Sequence, residues 1–588
     1  MSQLLNASKD SVANTTAAAV KQNGVVGWKR VLIVLIPVAF GTGVYVLNNL
    51  DVLHGMIAPP AGYVPLGIQR NSDIAIYLTW LYGFAKGWLL PNFNAPWTTP
   101  AEFTAPGLIP VALLQRALGV SPVVALQIFS WMGYVFVAYA LAFLYKTFCQ
   151  TRHQALWALL IAAACVPFDS LPLISQLLGN SAQYGVATGR VHFLTLSDGF
   201  FRGMVTWPFL TYGTGFQVLS MGLLGRYIKT AEQRWMSWLT LTSLISTLLH
   251  PFEIFVTVTT VAIVLVRHSG LTRKNVTSLG LICVAAGVGV SPYAIQTLRS
   301  SWIHEVAGAN SINITPALLM GVIGAPAVLV MLLFLFGLPE NRSDETIIVK
   351  TWFLSSLVLF FVPGMPFALH FLDGLFFAIG LLLVMQIQEL LARRAQVVKL
   401  LLQFVAVPLL IWSLLPHVIV RAQAWGSGID TQNEQFAYDS CTTFHGTCLR
   451  PTALAPAAEV ATVQWLREHA SPNDLVLATE DASPWMAEAP VHSFASHWLF
   501  SLLWPYPNYR TVRTAFFSGG LSTSQGHELL EIIGARFVVV PDGSPARQYL
   551  DMAVQRARFG TWTIYEVPGA RMKPYHDARI LALGGSAH

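Results

Sequence analysis

The amino-acid sequence predicts an all-α polytopic membrane bundle of about 11 transmembrane helices, followed by an extracytoplasmic α/β domain. Of the 588 residues, 54% are hydrophobic and only 11% are charged, whereas about 25% are charged in a typical soluble domain. Apolar stretches of span length recur from about residue 31 to residue 420 and then stop. The net charge of +6 is then explained by basic loops that orient the spans, so no nucleic-acid partner is expected.

Three segments follow from this pattern. Residues 1–28 are polar and rich in Ser, Thr and Ala, a composition that predicts a disordered cytoplasmic N-terminus. Residues 29–420 form the transmembrane domain, with large outer loops at 51–110 and 175–206, and residues 421–588 form the α/β domain. The spans are predicted at residues 31–50, 121–145, 154–174, 205–225, 237–250, 252–266, 276–295, 316–337, 347–363, 367–390 and 397–419.

The distribution of basic residues orients these spans. With a cytoplasmic N-terminus, the inner segments hold 17 lysines and arginines and the longer outer segments hold six. Because cytoplasmic loops carry the excess of positive charge, this bias places the N-terminus inside the cell. Residues 236–266 have basic flanks on both sides, so they must cross twice as two helices of about 14 residues that turn at His250–Glu253. The α/β domain then lies outside.

The α/β domain is predicted from alternating helical and strand patterns. A helix over residues 457–470 precedes a strand at 475–479, and a second helix ends at Gly534 before a buried strand at Phe537–Val540. The sequence TWTIYEV near the end predicts another strand. No nucleophile elbow or triad spacing occurs here, so the domain is expected to cover the outer face of the bundle or to grip a substrate.

Asp73 is the first candidate for chemistry. It lies in the first outer loop, three residues after Arg70 and among aromatic side chains. A carboxylate at this place can deprotonate an acceptor hydroxyl or bind a divalent metal. The alternative is structural, because Asn71, Ser72 and Asp73 precede a helical pattern and such residues cap helices.

The second outer loop carries basic groups beside a carboxylate. Arg190, His192, Asp198 and Arg202 lie within 13 positions of one another. Such a set suits the phosphate of a lipid-linked leaving group, or a metal bound through Asp198. The alternative is a solvated loop with an ordinary Asp-Gly turn at Asp198.

Two His-acid pairs occur near the predicted outer ends of spans. His250 and Glu253 flank the hairpin turn, and His370 and Asp373 open the tenth span. Ionisable residues at membrane depth are costly, which makes them functional candidates. The alternative is an interfacial position, where water satisfies them; the spacing of three also fits a hydrogen bond across one helical turn.

Cys441 and Cys448 are separated by six residues in the tail. A pair confined to an exterior domain predicts a disulfide in an oxidising compartment. Two free thiols are the alternative.

Several short patterns give the chain a resemblance to GT-C-type membrane glycosyltransferases. The order of parts matches: a basic start, one span, a long outer loop with an acid, a multi-span bundle and an external domain. The bacterial members carry a pattern in the first loop that here corresponds to Asp73, Tyr77, Gly83 or Gly87, Trp88, Leu89 and Asn92. They also carry a turn like that at His250–Glu253, and a domain that opens as at Trp465–Glu468 and Ser471–Leu477.

The resemblance implies transfer of a sugar from a polyprenyl-phosphate donor to an envelope polysaccharide or lipid acceptor, at the outer face of a bacterial plasma membrane. Asp73 corresponds to the family's base or metal ligand, and a divalent metal, Mg²⁺ or Mn²⁺, is the expected cofactor, held by Asp73 and Asp198. The residues expected to bind donor phosphate or substrate are Arg70, Arg190, His192, Arg202, His250 and Glu253. Two alternatives stay open: a non-catalytic membrane component of an envelope assembly machine, and a lipid or oligosaccharide transporter built around Glu253 and His250.

Overall fold

A computed structural model describes the chain over most of its predicted spans and most of its C-terminal part. The described residues are 34–59, 61–70, 72–84, 87–88, 93, 106–163, 208–270, 272–299, 343–362, 368–393, 452–479, 483–486, 488–494, 506–573 and 578–585. The predicted spans at 316–337 and 397–419 lie outside these residues, and the span at 154–174 is described only as far as Ala163.

The membrane part is helical. Its elements are α1 (Val34–Asn48), α2 (Leu50–Ile57), β1 (Tyr63–Arg70), α3 (Ser72–Gly83), a 3₁₀ turn (Pro106–Leu108), α4 (Ile109–Leu118), α5 (Pro122–Phe148), α6 (Arg152–Ala163), α7 (Pro208–Thr230), α8 (Gln233–Leu249), α9 (Glu253–Ser269), α10 (Arg273–Arg299), α11 (Asp344–Phe360), a second 3₁₀ turn (Ala368–Leu372) and α12 (Leu375–Arg393).

Three helices among the described residues are long and apolar enough to cross a membrane: Pro122–Phe148, Arg273–Leu298 and His370–Glu389. Val34–Asn48 and Pro106–Leu118 are shorter apolar helices. The helical membrane architecture predicted from the sequence is confirmed, and the number of spans stays a prediction.

Helix α7 is the centre of the bundle, packed against α5, α8, α9 and α11. Glycines make its contact with α5 close: a Cβ at Gly215 or Gly222 would stand 2.7 Å from the ring of Phe136 or Phe143. Small residues of this kind let membrane helices approach closely and gain van der Waals contact, which drives their association in lipid.

The predicted hairpin is present, with helices longer than expected. Helix α8 ends at Leu249 and α9 begins at Glu253, so the chain turns at His250–Phe252. Each helix has 17 residues and spans about 25 Å, not the 21 Å given by 14 residues. The expected length was wrong because α9 continues through Arg267 and His268, which apolar periodicity alone assigned to the flank.

The basic flanks of several helices meet at one end of the bundle. Lys229 Nζ, at the end of α7, lies 2.8 Å from a carboxylate oxygen of Glu345 and 2.5 Å from the carbonyl oxygen of Thr147. Lys274 Nζ lies 3.5 Å from the carbonyl oxygen of Ala231. The turn at His250–Phe252 is at the opposite end of α8 and α9. The basic residues and the turn therefore lie at opposite ends of the hairpin, and the cytoplasmic orientation of the basic end stays a prediction.

A labelling experiment tests that orientation. Cysteines placed at positions near 232 and 270 in a cysteine-free background should resist a membrane-impermeant maleimide in intact cells, because both turns belong to the basic end. A cysteine at Met552, which is 55% exposed in the α/β domain, should be labelled. Labelling of positions 232 and 270 from outside, with position 552 protected, would show that the predicted topology is inverted.

The C-terminal part contains a five-stranded mixed sheet of order β4-β3-β5-β7-β6. Strands β4, β3 and β5 are parallel, with β4 at the edge, and β7 and β6 continue the sheet antiparallel. The elements are β2 (Thr452–Pro456), α13 (Ala457–His469), β3 (Leu475–Leu477), α14 (Ser483–Met486), β4 (His492–Ser493), α15 (Tyr506–Ser518), α16 (Thr523–Ile533), β5 (Phe537–Pro541), a 3₁₀ turn (Pro545–Tyr549), β6 (Val554–Phe559), β7 (Trp562–Glu566) and α17 (Ala578–Gly585).

The predicted helices and strands of this domain are present. Helix α16 begins at Thr523, four residues before the helical pattern that starts at His527, because Ser522 and Gln525 form a reciprocal capping box. It ends at Gly534, which is in the left-handed conformation. Strand β6 was missed, since its sequence VQRARF is polar and mostly exposed.

The first outer loop is joined to the α/β domain by a β-ribbon that the sequence did not predict. Strand β1 pairs antiparallel with β2, from Tyr63 opposite Pro456 to Arg70 opposite Thr452. A bulge interrupts the pairing near Gly67, which has a φ of 71°, and its carbonyl oxygen accepts a hydrogen bond of 2.7 Å from Gln127 of α5. The ribbon therefore ties loop, domain and bundle together.

Side chains extend this joint beyond the ribbon. The guanidinium of Arg467 lies 3.6 Å from the ring centroid of Tyr82 on α3, and its Nε donates to the carbonyl oxygen of Glu488 at 3.1 Å. The ring of Phe93 contacts that of His492 at 5.4 Å. The α/β domain thus contacts α3, the helix that carries Asp73.

His492 makes the stability of this joint dependent on pH. Burial lowers the pKa of its imidazole from an ordinary value of 6.5 to about 4. Between these values the unfolded chain binds a proton that the folded chain does not, so stability is highest above pH 6.5 and falls as the pH drops towards 4. The loss is about 1.4 kcal/mol per pH unit and about 3 kcal/mol in total.

We therefore expect the thermal unfolding midpoint to fall steeply between pH 6.5 and 4.5 in the wild type and less steeply in His492→Gln. The exposed His469 provides the matched control, and His469→Gln should keep the wild-type slope. Equal slopes in all three proteins would show that His492 does not control this pH dependence.

Candidate functional site

The turn between α8 and α9 places a buried carboxylate at the end of the bundle. Pro251 cannot extend α8 and restricts the residue before it, and His250 is accordingly extended, with φ −152° and ψ 107°. Helix α9 then begins with Glu253, where the positive end of the helix dipole favours a negative charge. The Glu253 side chain is only 1% exposed, and its Oε1 lies 2.6 Å from His250 Nδ1.

Gly213 on α7 makes room for this carboxylate. A Cβ at Gly213 would stand 2.5 Å from Glu253 Cδ and 2.7 Å from Oε2, a separation that real side chains do not adopt. Only glycine therefore allows the acid of α9 to pack against α7.

The second His-acid pair is built in the same way. His370 Nδ1 lies 3.1 Å from Asp373 Oδ2, and the Asp373 side chain is also 1% exposed. Both pairs thus have the predicted bond across three positions. Both carboxylates are thus buried within the protein, and the choice between an intramembrane and an interfacial position stays a prediction.

The structure brings the two pairs together, which the sequence did not predict. The rings of His250 and His370 lie 4.8 Å apart, edge to face, and Phe252 stacks on His370 at 4.6 Å with an interplanar angle of 16°. We name His250, Glu253, His370 and Asp373 the His-acid cluster. The repeated spacing, H-x-x-E and H-x-x-D, was the signal in the sequence that could have suggested it.

The charges of this cluster require compensation. Any charge on its two buried carboxyl groups must be balanced by a proton or a cation, since unpaired buried charge is strongly unfavourable.

The cluster also offers a group that could hold a metal ion. Ligand atoms of His250, His370 and Asp373 all lie within 4.8 Å of one another. The metal predicted from the sequence was assigned to other residues, Asp73 and Asp198. Asp198 lies outside the described residues, and so does the side chain of Asp73, so that assignment stays a prediction.

Polar groups continue inward from the cluster along α7. Gln217, one turn after Gly213, is 1% exposed, and neither of its amide atoms has a hydrogen-bond partner among the described residues. The Gln217 side chain packs against Gly374, where the Trp352 ring also lies. Buried amides are normally bonded, so this region is suited to ordered water or a polar ligand.

The helix that carries Asp73 packs at the same end of the bundle. The Tyr77 ring contacts Phe209 of α7 edge-to-face at 5.2 Å, and Phe209 is one turn before Gly213. A Cβ at Gly107, at the end of the first outer loop, would stand 2.9 Å from the carbonyl oxygen of Leu249. Asp73 is one turn before Tyr77, in the first turn of α3, and its backbone position fits the predicted helix start.

The remaining predicted site residues are not part of this geometry. Arg190, His192, Asp198, Arg202, Cys441 and Cys448 lie outside the described residues, as does the side chain of Arg70. Their roles stay predictions.

No protein-family model matches the sequence, and a search of curated proteins found no relative. Solved structures do show similarity. An oligosaccharyltransferase from Archaeoglobus fulgidus, in complex with Zn and sulfate, has a TM-score of 0.49 and 12% identity, over 86% of this chain and 68% of that one. The arabinofuranosyltransferase AftD from Mycobacteria has a TM-score of 0.48 and 13% identity, over 89% of this chain and 40% of that one.

A third structure, ArnT from Cupriavidus metallidurans bound to undecaprenyl phosphate, has a TM-score of 0.42 and 12% identity, over 93% of this chain and 99% of that one. These proteins are GT-C glycosyltransferases. The resemblance predicted from the sequence is confirmed as a likeness. Because each TM-score is below 0.5 and each identity is at most 13%, the site and function of this chain rest on its own residues.

Proposed function

We propose that this chain is a membrane glycosyltransferase that moves a sugar from a polyprenyl-phosphate donor to an envelope polysaccharide or lipid acceptor at the outer face of a bacterial plasma membrane. The observation that carries the proposal is the position of α3. Tyr77 of this helix contacts α7 one turn before Gly213, the glycine against which Glu253 packs. Tyr82, further along the same helix, contacts the guanidinium of Arg467 in the α/β domain. An acid-bearing helix thus lies between a polar site in the bundle and the external domain.

This arrangement suits a reaction between a lipid-borne donor and an external acceptor. In the proposed step Asp73 removes the proton of the acceptor hydroxyl, whose oxygen forms a bond to the anomeric carbon of the donor sugar. The bond from that carbon to the phosphate oxygen breaks, and polyprenyl phosphate leaves as an anion. A general base of this kind typically contributes ~10²–10⁴-fold to the rate.

The other predicted residues serve the donor phosphate. Arg70, Arg190, His192 and Arg202 supply charge-assisted hydrogen bonds to the leaving phosphate, and Asp198 with Asp73 would hold Mg²⁺ or Mn²⁺. His250 and Glu253, at the end of the bundle against which α3 packs, contact the lipid-linked end of the donor. The undecaprenyl phosphate bound to the similar ArnT structure suggests the same class of carrier here.

Analysis of lipid-linked sugars in a deletion strain tests the proposal. We expect a polyprenyl-phosphate sugar to accumulate when the gene is removed, together with loss of one sugar from an envelope glycan, and both changes to be reversed by the wild-type gene. Loss of the glycan without accumulation of the donor, restored equally by wild type and Asp73→Asn, would favour the non-catalytic component. Accumulation of the polyprenyl-phosphate sugar in the inner leaflet alone would favour the transporter.

A further inference from the structure

We propose that His250, His370 and Asp373 bind one divalent transition-metal ion of the Zn²⁺ class, with Glu253 as the outer partner of His250. This site is distinct from the Mg²⁺ or Mn²⁺ site predicted at Asp73 and Asp198. The proposal goes beyond the glycosyltransferase function and does not depend on it.

The donor set selects the class of metal. Two imidazole nitrogens and one carboxylate oxygen are typical Zn²⁺ ligands, whereas Mg²⁺ prefers oxygen atoms and keeps several of its waters. Three protein ligands also leave a fourth position of a tetrahedral ion for water or an anionic oxygen.

The distances suit such an ion. His370 Nδ1 and Asp373 Oδ2 are 3.1 Å apart, close to the separation of about 3.3 Å between two ligand atoms around a tetrahedral ion with bonds of about 2.0–2.1 Å. The whole group of ligand atoms lies within 4.8 Å, so modest side-chain rotation brings His250 to the same ion.

Glu253 is not a ligand in this proposal but orients the ligand His250 by a hydrogen bond. Its Oε1 holds His250 Nδ1 at 2.6 Å, which leaves the Nε2 of that ring for the metal and reproduces the carboxylate-histidine arrangement that orients metal ligands. Glu253 Oε2 is buried and has no hydrogen-bond partner among the described residues. One divalent ion would place a positive charge beside both buried carboxyl groups.

The ion would also connect two elements that are distant in the chain. His250 belongs to the turn between α8 and α9, while His370 and Asp373 precede α12. Phe252 stacked on His370 holds the second ring at the same turn. A bound ion would therefore cross-link the end of the bundle beneath the first outer loop.

Metal content of the purified full-length protein tests the proposal without any activity assay. After Zn²⁺ loading and dialysis against excess Mg²⁺, we expect elemental mass spectrometry to find one Zn²⁺ per chain. His370→Gln and Asp373→Asn should each retain less than a tenth of that amount. His268→Gln, at the opposite end of the bundle, is the matched control and should retain all of it.

The variant Glu253→Gln tests whether Glu253 is a hydrogen-bond partner of His250 or a direct ligand of the metal. It should bind one Zn²⁺ at saturation with about 10–100-fold weaker affinity, and Co²⁺ substituted into the wild type should show the visible absorption of a four-coordinate site. Size-exclusion chromatography checks that each variant is folded. Absence of retained Zn²⁺ in the wild type, or retention of the wild-type amount by both His370→Gln and Asp373→Asn, would overturn the proposal.

Discussion

Replacement of Asp73 by asparagine is expected to lower sugar transfer by ~10²–10⁴-fold while leaving the amount of protein in the membrane unchanged. The reason is that an acceptor hydroxyl is a poor nucleophile until its proton is removed, and asparagine cannot accept that proton. Asparagine keeps the size of aspartate and a hydrogen-bond acceptor in the first turn of α3, so the start of this helix should be preserved. Complementation of the envelope-glycan defect, with membrane abundance measured in parallel, is the readout.

The matched control is Asp344→Asn, which changes an acid in the first turn of α11 at the opposite end of the bundle. This variant should complement fully. Full complementation by Asp73→Asn at normal abundance would eliminate Asp73 as the base and would favour the non-catalytic component.

Replacement of Gly213 by alanine is expected to destabilise the membrane domain by several kcal/mol. The new methyl group would occupy the space of the Glu253 carboxylate. Overpacking of a filled core costs about 1–3 kcal/mol, and a buried carboxyl group displaced from its hydrogen bond with His250 adds about 1–3 kcal/mol. The effect opposes the gain of about 1 kcal/mol that alanine usually brings inside a helix.

Gly287→Ala in α10 is the matched control, because a Cβ there meets nothing within 4 Å. Its thermal unfolding midpoint in detergent should equal or exceed that of the wild type, while that of Gly213→Ala should fall by many degrees. Equal midpoints for the two variants would mean that Glu253 is not held against α7.

Local pattern was sufficient to predict much of the bundle. Basic flanks and the Pro251 turn predicted the hairpin of α8 and α9, and the spacing of three predicted the bonds within each His-acid pair. These features depend on neighbours in sequence, so periodicity, charge and backbone restriction carry enough information for them.

The assembly of the pairs into one cluster was not predictable in this way. His250 and His370 are 120 positions apart, and their contact results from the packing of α9 against α11 and the turn before α12. The cavity for Glu253 depends on a single glycine on a third helix. Such coincidences of tertiary packing leave no periodic signal in one sequence.

The ribbon between β1 and β2 was missed for a different reason. The sequence YVPLGIQR contains a proline and a glycine, which weaken any strand prediction, and its partner TALAP is short. Pairing with a segment almost 400 positions away supplies the hydrogen bonds that neither has locally. The α/β domain is therefore attached to the first outer loop more closely than its composition suggests.

Direct measurement of donor cleavage tests the central claim most directly. The purified full-length protein, incubated with a panel of polyprenyl-phosphate sugars and an envelope glycan acceptor, should release polyprenyl phosphate in step with formation of a new glycosidic bond for one member of the panel. Asp344→Asn should behave as the wild type, and Asp73→Asn should release polyprenyl phosphate at least 100-fold more slowly. The account would be contradicted if the wild type and Asp344→Asn, both folded throughout, released no polyprenyl phosphate from a panel that includes the native donor.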